Sequence, residues 1–146
     1  MTASVQPDQP LDAAGLEALN RMNAGSFDSN FGTEFLEASG DRVRVQVTMG
    51  PHLHQPHGIV HGGVYCAIIE TVASIGGSLW LGDRGRVVGV NNSTDFLRAV
   101  SEGTLVAVGE PVHRGRSQQL WRVTITDAED RMIAQGQVRL QNLTPA

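Results

Sequence analysis

Glu70 is the one formal charge between His61 and Gly82, in a stretch otherwise built of apolar and small residues. A carboxylate in such surroundings is costly unless it is paired or kept protonated, so its presence asks for a reason. Eight residues earlier stands Gly62, inside the run His61-Gly62-Gly63 that opens a helical pattern. Glycines at a helix start leave backbone N–H groups bare at its positive end, where an oxyanion or polarised carbonyl can sit. A carbonyl-polarising helix start plus an isolated carboxylate is equipment for acyl chemistry. One helix cannot aim both at a single carbonyl carbon, because eight residues at 1.5 Å each separate them by about 12 Å. The spacing therefore expects two chains with antiparallel helices, Gly62–Gly63 of one facing Glu70 of the other, and hence an obligate dimer with two shared sites. Ser74, four residues after Glu70 and on the same face, is within reach of the substrate or its water.

Other residues invite other chemistry. His52, His54, His57 and His61 suggest a metal, but three lie in a Pro/Gly loop and their spacing matches no helical i, i+4 zinc pair, so no metal site is expected. Cys66 sits beside Ala67 and Ile68 with no obvious activating base, which reads as a structural thiol rather than an acyl acceptor. Arg84, Arg86, Arg98, Arg114 and Arg116 cluster in the middle of the chain and are either solvated faces or anion contacts.

These residues need elements to position them. With 146 residues, 40% hydrophobic and 18% charged, the chain reads as one soluble domain over 11–146 with a flexible, Pro-punctuated tail at 1–10. A net charge of −4 argues against nucleic acid as the main partner. A single cysteine fits a reducing cytoplasm, and the first residues lack the pattern of a secretory signal. The apolar stretch from Val64 to Leu81 is interrupted by Glu70, Thr71, Ser74 and Ser78, which favours a buried core helix over a membrane span.

Leucines and a methionine at helical spacing predict a short helix over Leu11–Asn23, and 26–37 reads as extended. Arg42–Met49 alternates polar and apolar for eight residues, a half-buried strand with Val43, Val45, Val47 and Met49 inward. The long helix runs from near His61 to Leu81, with Gly82 as its cap. Four Val-rich strands follow, Arg86–Leu97, Thr104–His113, Gln118–Thr126 and Met132–Gln141, read as successive antiparallel strands joined by short turns. A helix apolar almost all round must be enclosed, and a curved antiparallel sheet wrapped around it is the economical solution. The class is α+β, the hotdog arrangement. Its open edges expect pairing between protomers.

The run Gln55-Pro56-His57-Gly58-Ile59-Val60-His61-Gly62-Gly63, followed by Ala67-Ile68-Ile69-Glu70-Thr71-Val72-Ala73-Ser74, resembles the hotdog-fold acyl-CoA thioesterases. It is most similar to the branch holding the Glu-dependent 4-hydroxybenzoyl-CoA and the dihydroxynaphthoyl-CoA thioesterases. The likeness continues through Val87–Asn91, Phe96-Leu97-Arg98, Pro111–Gly115, Gln119-Leu120-Trp121 and Ile125-Thr126-Asp127. It implies hydrolysis of an acyl-CoA, or more narrowly an aroyl-CoA, with no cofactor beyond the coenzyme A carried by the substrate. The Gly62 amide would hold the thioester oxygen, and Glu70 of the second chain would act as nucleophile or general base. Gln55 and His61 would orient the thioester, and Ser74 would position water. Arg98 and the Arg114-Gly115-Arg116-Ser117 turn would meet the pantetheine and nucleotide phosphates. Gly63, Val60 and Phe96 join the substrate site, with Ile68 and Trp80 as further acyl-pocket candidates. The resemblance also implies a dimer of dimers, a homotetramer. A medium-chain fatty acyl-CoA is the alternative substrate. A hotdog hydratase, which wants an Asp–His pair, and a non-catalytic acyl-CoA sensor are the competing classes.

Overall fold

The computed structural model describes residues 7–145; most of the expected N-terminal tail, residues 1–6, lies outside that range. The described part of that tail is anchored: Gly40 N donates to the Pro7 carbonyl at 2.6 Å and Leu11 N to Ala38 O at 2.8 Å. Helix α1 (Ala13–Asn23) is capped by the Asp12 carboxylate and buries Leu19, while Met22 on its predicted apolar stripe stays exposed. The extended reading of 26–37 holds only for its end. Phe27–Phe31 is a short 3-10 helix, tied by Ser29 Oγ to Ser26 O and by Asn30 to Phe27 O, and strand β1 (Glu34–Ala38) begins after it. Those local Ser and Asn bonds compete with extended backbone, and here they win.

Strand β2 (Val43–Met49) buries Val43, Val45, Val47 and Met49, as its alternation requires. Helix α2 (Gly62–Leu81) starts at a His61 cap and stops at Gly82, whose φ of 56° suits glycine. Strands β3 (Arg86–Phe96), β4 (Gly103–Arg114), β5 (Gln118–Thr126) and β6 (Met132–Leu143) complete one six-stranded antiparallel sheet. Its order is β1-β2-β4-β5-β6-β3. The simple succession of four strands is therefore corrected. β4, β5 and β6 form a meander, but β3 crosses over to pair with β6, Arg86 opposite Leu143 and Phe96 opposite Ala134. This leaves β3 at one edge of the sheet, with a bulge between Gly89 and Asn91.

The sheet wraps α2 on one side. Val64, Tyr65, Ile68, Ile69, Val72 and Ala73 enter the core, each larger side chain worth about 1.5–3 kcal/mol on burial. Gly76 and Gly77 allow the closest approach: a Cβ at Gly76 would stand 2.5 Å from the Trp121 ring, and one at Gly77 would overlap Leu140. Enclosure is incomplete, which corrects the expectation from hydropathy. Ala67, Glu70, Thr71, Ser74 and Ile75 are only half-buried and Ser78 is exposed, forming an open strip along the helix. By length and composition α2 is apolar enough to cross a membrane, and half of that window is buried against its own fold.

Candidate active site

The loop before α2 is folded tightly onto its N-terminus. His54 bridges to Val60, Gln55 N donates to Ile59 O at 2.8 Å, and Gly58 takes the left-handed φ of 79° that closes the turn. Val60 N reaches Val100 O and His61 N reaches Leu53 O, so the helix start is clamped from both sides. Of the two glycine amides, one is occupied: Gly63 N donates to His61 Nδ1 at 2.8 Å. The Gly62 N–H donates to no acceptor among the described residues. The bare pair expected from sequence is thus a single free donor. With Nδ1 accepting, the His61 imidazole carries its proton on Nε2.

Gly62 opens into a hollow of about 280 Å³, lined also by Gln55, Val60, Tyr65, Phe96 and Arg98. The structure so brings Gln55, Val60, Gly62, Phe96 and Arg98 together. Phe96 lies directly over Gly62, where a Cβ would meet its ring at 2.6 Å, so a side chain there must push the exposed ring aside. His61 and Gly63 face a different, larger hollow of about 520 Å³ beside Phe27, Phe31 and Leu53. Among the described residues no three His, Cys, Asp or Glu side chains stand close enough to hold a metal ion.

Glu70 lies outside both hollows, on the open strip of α2 where β3 passes. Its Oε2 accepts from Asn92 Nδ2 at 3.0 Å, and the same amide donates to Cys66 O at 3.0 Å. Thr94 Oγ1 donates to Asn92 Oδ1 at 2.7 Å, which fixes the amide's orientation. The reason demanded by a carboxylate in an apolar segment is therefore a neutral donor and a half-open position, not a cation. Glu70 Oε1 occupies the space a Cβ would need at Gly89. Gly89→Ala, at a strand position without positive φ, should fold normally yet displace the carboxylate. If catalysis uses this pose, thiol-release assays will show kcat lowered by about tenfold or more with KM little changed. Full activity of that variant would show the pose to be dispensable. Ser74 sits one turn further along the same strip, half-buried.

The Arg114–Ser117 turn lies at the opposite end of α2. Arg114 is committed to the Gly40 carbonyl and to Asp41 Oδ1, both at 2.6 Å, and its guanidinium stands 5.5 Å from the centre of the Trp80 ring. Trp80 belongs to that cluster and not to the hollow at Gly62, about 27 Å away along the axis. Ile68 is in the core. Arg116 and Ser117 are exposed and their side chains form no hydrogen bond or ion pair among the described residues.

Sequence reasoning missed what holds this turn. Asn142 Nδ2 donates to Gly115 O and Arg116 O at 3.0 and 3.1 Å, while Asn142 N donates to Ser117 O at 2.8 Å. Three successive carbonyls thus turn inward on one residue. Asn142 Oδ1 accepts from the fully buried Gln119, which also donates to Gly77 O of α2 and accepts from Trp121 Nε1. Gln119, a polar residue inside a Val-rich strand, was the available signal; Asn142 lies one residue past the expected end of the last strand, which the structure extends to Leu143.

Residues 57–134 match the family described as the Thioesterase superfamily. Rv1847 of Mycobacterium tuberculosis, a provisionally named esterase, is 56% identical over 120 residues, covering 80% of this chain and 86% of its own. Its solved structure superposes with a TM-score of 0.79 at 54% identity, over 82% of this chain and 98% of that one. The proofreading thioesterase EntH of Cronobacter turicensis is 36% identical over 116 residues, 80% of this chain and 85% of the relative. The crystal structure of the Haemophilus influenzae thioesterase HI1161 matches with a TM-score of 0.84 at 31% identity, over 88% and 90% of the two chains.

Proposed function

This chain belongs to the Thioesterase superfamily, and from that premise we propose that it hydrolyses an acyl-CoA, preferentially an aroyl-CoA such as a hydroxybenzoyl or dihydroxynaphthoyl ester, to the free acid and CoA. The observation that carries the reading is the division of labour along α2: one unoccupied N–H at the mouth of a compact hollow, and a carboxylate oriented by Asn92 on the open strip. They lie about 12 Å apart along the axis. A second copy laid antiparallel on the strip, with β3 edges adjoining, unites them twice. That arrangement supports a homodimer with shared sites, and pairing of such dimers gives the homotetramer.

The Gly62 N–H then receives the thioester oxygen and stabilises the charge that develops there. Glu70 of the second chain takes a proton from water as the water oxygen bonds to the carbonyl carbon. Collapse of the tetrahedral adduct breaks the C–S bond, and the departing sulfur takes up the proton held by Glu70. Alternatively the carboxylate attacks first, expelling the thiolate and leaving an anhydride that water opens. In either route Gln55 orients the thioester and Ser74 the water. His61 acts through the helix start, since its Nδ1 is engaged with Gly63. Arg98 at the hollow, and the partner's exposed turn at Arg116 and Ser117, suit the phosphates of CoA. Arg114 and Gly115 shape that turn. The chemistry calls for no cofactor, and a soluble cytoplasmic enzyme without membrane or nucleic-acid partners fits the composition.

A hollow of about 280 Å³ is at the small end for ligand sites, which favours a compact acyl group over a medium fatty chain. The test is a thiol-release screen of benzoyl-, hydroxybenzoyl-, naphthoyl- and fatty acyl-CoA esters on the wild-type protein. Hydrolysis should be fastest with an aroyl ester. A preference for medium chains would select the alternative, and tight binding of every ester without thiol release would make the protein a sensor.

A further inference from the structure

Tyr65 carries the one buried side-chain polar atom among the described residues that has no hydrogen-bond partner. The residue is 3% exposed, on the core side of α2, and it lines the same hollow as Gly62 and Gln55. A sealed, unpaired hydroxyl destabilises a fold relative to phenylalanine, which has the same ring and nothing to satisfy. The core gains nothing from the oxygen; it is closed off in this pose, and a group that enters the hollow and turns the Phe96 ring aside would reach it.

The position says what that is. Tyr65 follows Gly62 by three residues, less than one turn, so it stands on nearly the same side of the helix and about 4.5 Å deeper along the axis. A group whose carbonyl oxygen rests on the Gly62 N–H has its far end near Tyr65. Between the phenol and solvent lies Phe96, 57% exposed, its ring centre 6.0 Å from that of Tyr65 and its edge over Gly62. A ring entering beside Phe96 meets the apolar Ile59, Val60 and Leu97 together with Gln55, Arg98 and the tyrosine, and of these only the tyrosine carries a buried, unpaired polar atom. Burial also raises the phenol pKa above its ordinary value, so the hydroxyl keeps its proton and remains a donor.

We propose that Tyr65 is a specificity-determining residue whose hydroxyl hydrogen-bonds an oxygen substituent, a ring hydroxyl or keto group, at the end of the acyl group distal to the thioester. This rests on the hollow being the acyl end of a CoA-ester site. Position 65 then selects oxygenated over plain aroyl groups.

The experiment compares Tyr65→Phe with wild type on 4-hydroxybenzoyl-CoA and benzoyl-CoA. Removing one oxygen leaves packing intact, and a melting temperature equal to or above wild type will confirm it. The expected result is a fall of about tenfold in kcat/KM for the hydroxylated ester, with benzoyl-CoA unchanged or improved. An equal effect on both esters, or none on either, overturns the proposal. Should wild type release thiol from neither ester, the aroyl-CoA reading of the substrate is what fails. Equilibrium binding of the non-hydrolysable thioethers 4-hydroxyphenacyl-CoA and phenacyl-CoA then decides the role of Tyr65. A preference for the hydroxylated thioether that disappears in the variant supports it, and an unchanged ratio refutes it.

Discussion

Glu70→Gln will slow thiol release by at least about a hundredfold while substrate binding is largely retained. Glutamine keeps the length and shape of the side chain, and its amide oxygen can still accept from Asn92, so the pose survives. What it loses is the capacity to take a proton from water or to attack carbon. General-base help is commonly worth about 10²–10⁴ in rate, and that range sets the expected loss. Steady-state kcat together with equilibrium binding of a thioether analogue checks both halves. A variant that turns over at near wild-type rate would remove Glu70 from the chemistry.

Gly62→Pro will produce a loss on the order of a hundredfold or more, for a different reason. Proline is well tolerated at the first position of a helix, where its missing N–H costs no internal bond. The preceding residue, His61, has ψ of 132°, the extended geometry proline requires before it. The substitution therefore deletes the one free donor and leaves the helix in place, and single oxyanion donors are worth about 10²–10³ in kcat. Gly62→Ala is the control: it brings a Cβ to the same Phe96 contact at 2.6 Å but keeps the N–H. It should be much less damaged. Mixing the two dead chains, Gly62→Pro and Glu70→Gln, tests whether the site is shared. After full exchange half the dimers are mixed, each with one intact site, so about a quarter of wild-type activity returns in a two-fold pair. No recovery on mixing would place both groups within one chain.

Elements governed by local pattern were legible in the sequence. The alternation of 43–49, the span of α2 between His61 and Gly82, and the boundaries of the last four strands all follow from periodicity and turn residues. Strand neighbours were not, because pairing β3 with β6 is a long-range choice that alternation within each strand does not encode. Glu70 and Gly62 stood out because charge and glycine are conspicuous in an apolar helix. Their supports were hidden. Asn92, Thr94 and Gly89 matter only because β3 passes Glu70, and Asn142 only because β6 ends beside the turn at 115–117. Nothing in the sequence marked Tyr65, since a missing partner is a property of three dimensions alone.

The half-covered strip of α2 also carries a rule of symmetry. If residue 62 of one rod opposes residue 70 of the other, counting inward from both ends meets at 66, and the dyad passes there. Whatever occupies that place confronts its own twin, so any charge introduced would be doubled and self-repelling. The small side chain of Cys66 meets this demand, a constraint no neighbouring position on the helix shares.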